Sequence, residues 1–94
     1  MHAADLYQHL QQAFGPDLKA GEIDSGMSFF WQEKRMGPNS TRVLRVHENA
    51  SGVVSEIKLP VTSLRTKIEK FMPLPVTHDD VVAAVRAEID LLKS

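Results

Sequence analysis

Apolar side chains recur at helical spacing at both ends of the chain. Between residues 3 and 14 the apolar positions are three or four apart, so they share one face of a helix. Gly15 and Pro16 follow and are typical of a helix end. After Thr77 the same spacing returns, with Thr77 as a natural N-cap and acidic residues in the first turn. We therefore predict an N-terminal helix over 3–14 and a second helix that extends to the C-terminal end of the sequence.

The centre of the chain has the composition of a sheet. Three segments are rich in β-branched or aromatic residues and bounded by turn formers, namely Met27–Glu33, Thr41–Glu48 and Gly52–Leu59. The connections between them are short enough for hairpins, which predicts a three-stranded antiparallel β-meander. Residues 17–26 contain two glycines and several turn formers, and we interpret them as a connector.

A further short helix is predicted between the sheet and the C-terminal helix. Pro60 ends strand pairing, Thr62 or Ser63 can cap a helix over Leu64–Met72, and Pro73 and Pro75 break the chain again. The predicted order is α-β-β-β-α-α, with an N-terminal helix, a three-stranded meander and two C-terminal helices. At 94 residues, this is a single α+β domain over residues 1–94.

Strand alternation predicts which sheet residues face the helices. Pairing across the turn at 49–52 places 44 opposite 57, 46 opposite 55 and 48 opposite 53. The core-facing residues of these two strands are then Leu44, Val46, Val53, Ile57 and Leu59. In the first strand three aromatic residues are consecutive and must point to both sides. We expect Phe29 and Trp31 to point into the core and Phe30 to point outward.

The outward face is the predicted partner-binding surface. Phe30, Val43 and Val54 form an apolar strip there, with Arg45 and Lys58 at its border. A contiguous apolar strip on an open sheet face is typical of a contact with a partner. The alternative is that the predicted short helix covers the strip within the same chain.

Charge is unevenly distributed although the whole chain carries only −1. Residues 1–33 carry −4, residues 34–70 carry +5 and residues 71–94 carry −2. Lys34, Arg35 and Arg42 cluster at the first hairpin and form a possible anion or nucleic-acid site, with Phe30 and Trp31 as candidates for base stacking. The sequence pI of about 6.4 argues against this use, because nucleic-acid-binding domains usually exceed pI 9.

Catalytic and metal chemistry has little support in the sequence. There is no cysteine, and no nucleotide-binding, nucleophile-elbow or metalloprotease motif is present. Asp5 and His9 have helical i, i+4 spacing, but no third ligand accompanies them. We expect no enzyme activity, no metal site and no cofactor.

Neither a secretory leader pattern nor a membrane-spanning apolar run is evident in the sequence. The predicted protein is therefore a small soluble cytoplasmic module that acts without catalysis by protein–protein recognition. We expect its partner to be a second copy, in a homodimer, or another protein. The alternative function is nucleic-acid binding through the basic hairpin around residues 34–45.

Overall fold

The fold was determined as a computed structural model, in which residues 1–32, 40–60 and 69–93 are described. Helix α1 spans Ala3–Phe14 and a 3-10 turn covers Gly15–Asp17. Strands β1 (Leu18–Ile23), β2 (Gly26–Trp31), β3 (Thr41–Glu48), β4 (Val54–Pro60) and β5 (Glu69–Phe71) follow, and helix α2 spans His78–Lys93. The α+β class, the N-terminal helix and the C-terminal helix are confirmed.

The described strands form one antiparallel sheet in the order β1-β2-β3-β4-β5, so every strand pairs with its neighbour in sequence. The prediction of three strands was wrong. Residues predicted as a connector form β1, and residues 69–71 of the predicted short helix form β5. Met72, the last residue of that predicted helix, follows β5 and is not helical, and residues 64–68 lie outside the described residues.

Strand β1 depends on its hairpin with β2. Its sequence, LKAGEI, contains few of the residues that favour strands, which explains why composition alone indicated a connector. The two-residue loop Asp24-Ser25 joins the strands, and Ser25, its second residue, adopts a positive φ of 56°. Gly26 follows because a side chain there would collide with the carbonyl oxygen of Val46 on β3.

Helices α1 and α2 pack on one side of the sheet, which we call the inner face. The core consists of apolar residues from both helices and from strands β1 to β4. Phe29 and Trp31 belong to this core at 0% and 6% exposure, whereas Phe30 is half-buried. The predicted division of the three aromatic residues between the two faces is thus confirmed.

A bulge in β3 changes the prediction for Val43. Phe29 pairs with Leu44 and Phe30 pairs with Arg42, so Val43 is an extra residue without a partner on β2. The bulge lets Val43 and Leu44, which are adjacent in sequence, both join the core. Val43 was predicted on the outward face, and that prediction was wrong because simple alternation does not hold through a bulge.

The register of β3 with β4 also differs from the prediction, and this pair of strands contains a second bulge. Val46 pairs with Ile57 rather than with residue 55, and His47 pairs with Glu56, a shift of two positions from the prediction. An even shift preserves the faces, so Leu44, Val46, Ile57 and Leu59 are all buried as predicted. The register then changes between His47 and Glu48, which leaves Ser55 as the extra residue. Val54, not Val53, consequently joins the core.

None of the helices within residues 1–32, 40–60 and 69–93 is long and apolar enough to cross a membrane.

Candidate functional site

The side of the sheet opposite the helices carries a row of charged side chains, and we call this side the outer face. Arg45 on β3 pairs with Lys58 on β4, and Lys58 pairs with Phe71 on β5. On both sides of this row further polar residues share the face, because His47 pairs with Glu56 and Arg42 pairs with Phe30. The outer-face cluster comprises Arg42, Arg45, Glu56, Lys58, Glu69 and Phe71.

Glu69 is the centre of the cluster. Its Oε1 accepts a hydrogen bond from Nη2 of Arg42 at 2.6 Å and lies 3.3 Å from Nη2 of Arg45. The carboxylate therefore reaches from the edge strand β5 across β4 to two guanidinium groups on β3. The side chains of Arg42 and Arg45 remain 32% and 27% exposed, while Glu69 is only 17% exposed. One carboxylate thus faces two guanidiniums, and an excess of positive charge remains on this part of the surface.

Glu56 forms the second group of charges. Its Oε2 lies 3.6 Å from Nζ of Lys58 and 3.9 Å from Nε2 of His47. Neither contact has the short distance of a good charge-assisted hydrogen bond, and the side chain of Glu56 is 38% exposed. The Glu56 carboxylate can therefore exchange Lys58 and His47 for other partners without a large loss of free energy.

Phe71 supplies an exposed aromatic side chain next to these charges. It is 63% exposed, and Nζ of Lys58 lies 5.4 Å from its ring centroid, within the range of a cation–π contact. Phe71 lies on β5, the last strand at one edge of the described sheet. Phe71 is thus an exposed aromatic ring bordered by charges of both signs.

Two polar atoms of the outer face lack a hydrogen-bond partner within the described parts of the chain. These are Nε of Arg45 and Nε2 of His47, and both atoms are buried. An unsatisfied buried donor costs about 1–3 kcal/mol. The hydrogen-bonding capacity of the face is therefore incompletely used by the described residues themselves.

Three of the predicted partner-binding residues lie together on the outer face, namely Phe30, Arg45 and Lys58. The other two do not. Val43 is 1% exposed and Val54 is 8% exposed, and both belong to the core. The predicted apolar strip is therefore absent from this face, because the two bulges rotate both valines inward.

The predicted anion-binding residues are divided. Lys34 and Arg35 lie outside the described residues, and Arg42 is in place on the outer face with Glu69 as its partner. Trp31 is 6% exposed, with Nζ of Lys93 lying 5.6 Å from its ring centroid. Trp31 is therefore not available to stack against a base, whereas Phe30 keeps its position on the outer face.

Sequence reasoning missed Glu69 and Phe71. Both lie within the segment predicted as a short helix. That prediction hid the fact that the two side chains lie on the same face of a strand. The only sequence signal for them is the alternation in "EKF", which places the first and third residues on one side of a strand.

Tyr7, on the inner side of the sheet, has a pKa above the usual value for a phenol. Burial raises the pKa of this phenol, and so do its hydrogen bond to Glu48 and the negative charge of that carboxylate. The hydroxyl donates to Oε2 of Glu48 at 2.8 Å and thereby ties α1 to β3. This pair connects the helix layer to the sheet on the side opposite the outer face.

Comparisons of the chain with protein-family models, with curated proteins and with solved structures give no match.

Proposed function

We propose that this chain is a small binding module without intrinsic catalysis, which recognises another protein through the outer face of its sheet. We further propose that the partner is a second copy of the same chain, so that the functional form is a homodimer. The observation that supports this most directly is the outer-face cluster, in which the exposed Phe71 lies beside partly exposed charges of both signs.

Mixed charge favours a second copy as the partner. A two-fold interface brings the same surface together from both subunits, so the surface must complement itself. The outer face offers Arg42, Arg45 and Lys58 as cations and Glu56 and Glu69 as anions. A two-fold axis through this face allows the cations of one copy to meet the acids of the other, which an all-basic face would not allow.

Two features favour association: the exposed ring of Phe71 and the small size of the domain. The ring is 63% exposed and therefore loses much of its contact with water if another chain covers it. A domain of 94 residues buries roughly 65% of its unfolded surface, which leaves its stability modest and makes association a useful supplement.

Sedimentation equilibrium tests the proposal. We expect the wild type to have the mass of a dimer, and we expect Phe71→Ser and Phe30→Asp to shift the mass toward the monomer. The matched control is Leu91→Ser, since Leu91 is 49% exposed but lies on α2, in the helix layer. This control is expected to retain the wild-type mass.

Two outcomes would count against the proposal in different ways. A wild type that is monomeric at every accessible concentration would reject the homodimer. A dimer that is weakened by Leu91→Ser and not by either outer-face variant would place the interface on the helix layer instead.

The alternative proposal is nucleic-acid binding through Lys34, Arg35 and Arg42. Its support among the described residues is the excess positive charge that Arg42 and Arg45 leave beside Glu69. Phosphate binding by such residues weakens steeply with salt. Anisotropy of labelled single- and double-stranded oligonucleotides at low and moderate salt decides the point, with Arg42→Gln as the test variant. Binding that is absent at low salt removes this alternative.

A further inference from the structure

Two histidines that are distant in sequence meet where the helices adjoin. His9 lies in the middle of α1 and His78 is the first residue of α2. Their ring centroids are 4.0 Å apart and the ring planes are inclined by 34°. His9 is exposed and His78 is half-buried, so solvent reaches the pair. This contact is separate from the outer face and plays no part in the proposed dimer.

The hydrogen bond of His9 defines which of its nitrogens is available. Its Nδ1 lies 2.9 Å from the backbone carbonyl oxygen of Asp5. A carbonyl oxygen can only accept, so Nδ1 carries the hydrogen in this contact. In a neutral imidazole the lone pair then resides on Nε2. A histidine whose Nδ1–H is held by a carbonyl while Nε2 is free has the arrangement that is usual for metal ligands.

We propose that His9 and His78 together bind a divalent transition-metal ion such as Zn²⁺ or Ni²⁺, with Nε2 of His9 and one ring nitrogen of His78 as the protein ligands. Within the described residues no group of three or more His, Asp or Glu side chains is suited to hold a metal. In the proposed site, water fills the remaining coordination positions.

The separation of the rings suits this coordination after a small adjustment. A Zn–N bond of about 2.1 Å places each ring centroid about 3.2 Å from the metal, so two ligands have centroids about 4.5 Å apart at a right angle and about 5.2 Å apart at the tetrahedral angle. The observed separation is 4.0 Å. The rings must therefore spread by about 0.5–1.2 Å, which rotation of one exposed and one half-buried side chain can provide.

The donor set and the local charge indicate the class of ion. Imidazole ligands suit Zn²⁺, Ni²⁺ and Cu²⁺, whereas Mg²⁺ and Ca²⁺ prefer oxygen ligands. Asp79 and Asp80 follow His78 directly and lower the electrostatic cost of bringing a dication to this end of α2. The Asp80 carboxylate remains engaged with the backbone N–H of Thr77 at 3.0 Å and does not need to move.

Titration with ZnCl₂, followed by calorimetry and by the thermal unfolding temperature, tests the site. We expect Zn²⁺ and Ni²⁺ to raise the unfolding temperature, because a ligand that binds only the folded chain stabilises it, and we expect Mg²⁺ to have no effect. His9→Gln and His78→Gln are each expected to weaken Zn²⁺ binding by about tenfold or more.

His2→Gln and His47→Gln are the controls, since they remove a histidine elsewhere in the chain and are expected to retain Zn²⁺ binding. NMR spectra of the histidine rings provide a second measurement that does not depend on the stability of any variant. Zn²⁺ is expected to shift the ring signals of His9 and His78 together. A wild type whose His9 and His78 signals do not respond to Zn²⁺, or a His9→Gln/His78→Gln double variant that binds as tightly as the wild type, would overturn the proposal.

Discussion

Arg42 donates a hydrogen bond of 2.6 Å to Glu69 although the two residues lie on strands separated by β4. Arg45 approaches the same carboxylate oxygen at 3.3 Å. A short edge strand is thereby held to the centre of the sheet by a side chain as well as by its backbone pairing. Because all three side chains are partly exposed, we expect this link to contribute modestly to stability.

Glu69→Gln should lower the free energy of unfolding by about 1 kcal/mol, since it removes the charge between two guanidiniums in a partly solvated setting. Urea denaturation measures the change, and added salt should reduce the difference from wild type. Glu56→Gln is the matched control, because its contacts are 3.6 and 3.9 Å long and its expected effect is near zero.

A double-mutant cycle with Arg42→Gln tests whether the contact itself is responsible. We expect a coupling energy of about 0.5–1 kcal/mol between positions 42 and 69. Additive effects of the two substitutions would mean that the hydrogen bond seen between these side chains contributes nothing measurable.

Gly26 is the position at which a single methyl group should be most disruptive. A Cβ there would collide with the carbonyl oxygen of Val46, and backbone atoms cannot move aside as a flexible side chain can. Gly26→Ala should therefore destabilise the domain by about 1–3 kcal/mol. Gly21→Ala is the matched control on the neighbouring strand, where the nearest atom to the new Cβ is a Phe30 ring carbon at an ordinary 3.6 Å. Chemical denaturation of both variants should show a clear loss for position 26 and little change for position 21.

The helices were predictable because each depends on local signals. Apolar spacing defines the buried face of α1, and the Thr77 cap of α2 is observed as reciprocal hydrogen bonds with Asp80 at 3.0 and 3.1 Å. Strand β1 was not predictable in this way. Its residues have weak strand preference, and it becomes a strand only because β2 offers it a pairing edge.

The candidate site was predictable only in part for a related reason. Alternation placed Phe30, Arg45 and Lys58 on the outer face correctly, since β2 has no extra residue and the pairing of β3 with β4 is regular from Arg45 to His47. It failed at Val43 and Val54, which lie at or beside bulges that local sequence does not reveal. Glu69 joins the site through pairing of β5 with β4, a long-range contact that no periodicity within residues 69–71 could indicate.

The burial of Val43 can be tested by comparison with Phe30, which lies on the adjacent strand but faces outward. Val43→Asp should prevent or severely weaken folding, because the position is 1% exposed and an unpaired charge cannot be solvated there. Phe30→Asp lies on the outer face and should leave a cooperatively folded monomer. Circular dichroism and urea denaturation distinguish the two outcomes. Equal tolerance of aspartate at both positions would contradict the inward rotation of Val43 at the bulge.

Tyr7 should make the stability of the domain sensitive to alkaline pH. Its pKa in the folded chain is raised by burial and by Glu48, whereas an unfolded tyrosine has a pKa of about 10. A raised folded pKa means that the folded state keeps its proton longer. The contribution of protonated Tyr7 to the free energy of unfolding is therefore fully present below about pH 10. It is lost as the pH rises from that value toward the folded pKa.

Tyr7→Phe isolates this effect. The variant should lose about 1 kcal/mol at neutral pH, where the hydroxyl no longer donates to Glu48, and its stability should fall less steeply than that of wild type above about pH 10. Denaturation over a range of pH measures the difference. Both proteins contain the same lysines, so the effect of these residues on stability cancels in the comparison. The chain contains a single tyrosine, so the tyrosinate absorbance of the folded protein reports on Tyr7 alone. A midpoint at the ordinary value for a free phenol would show that burial and Glu48 do not protect the proton.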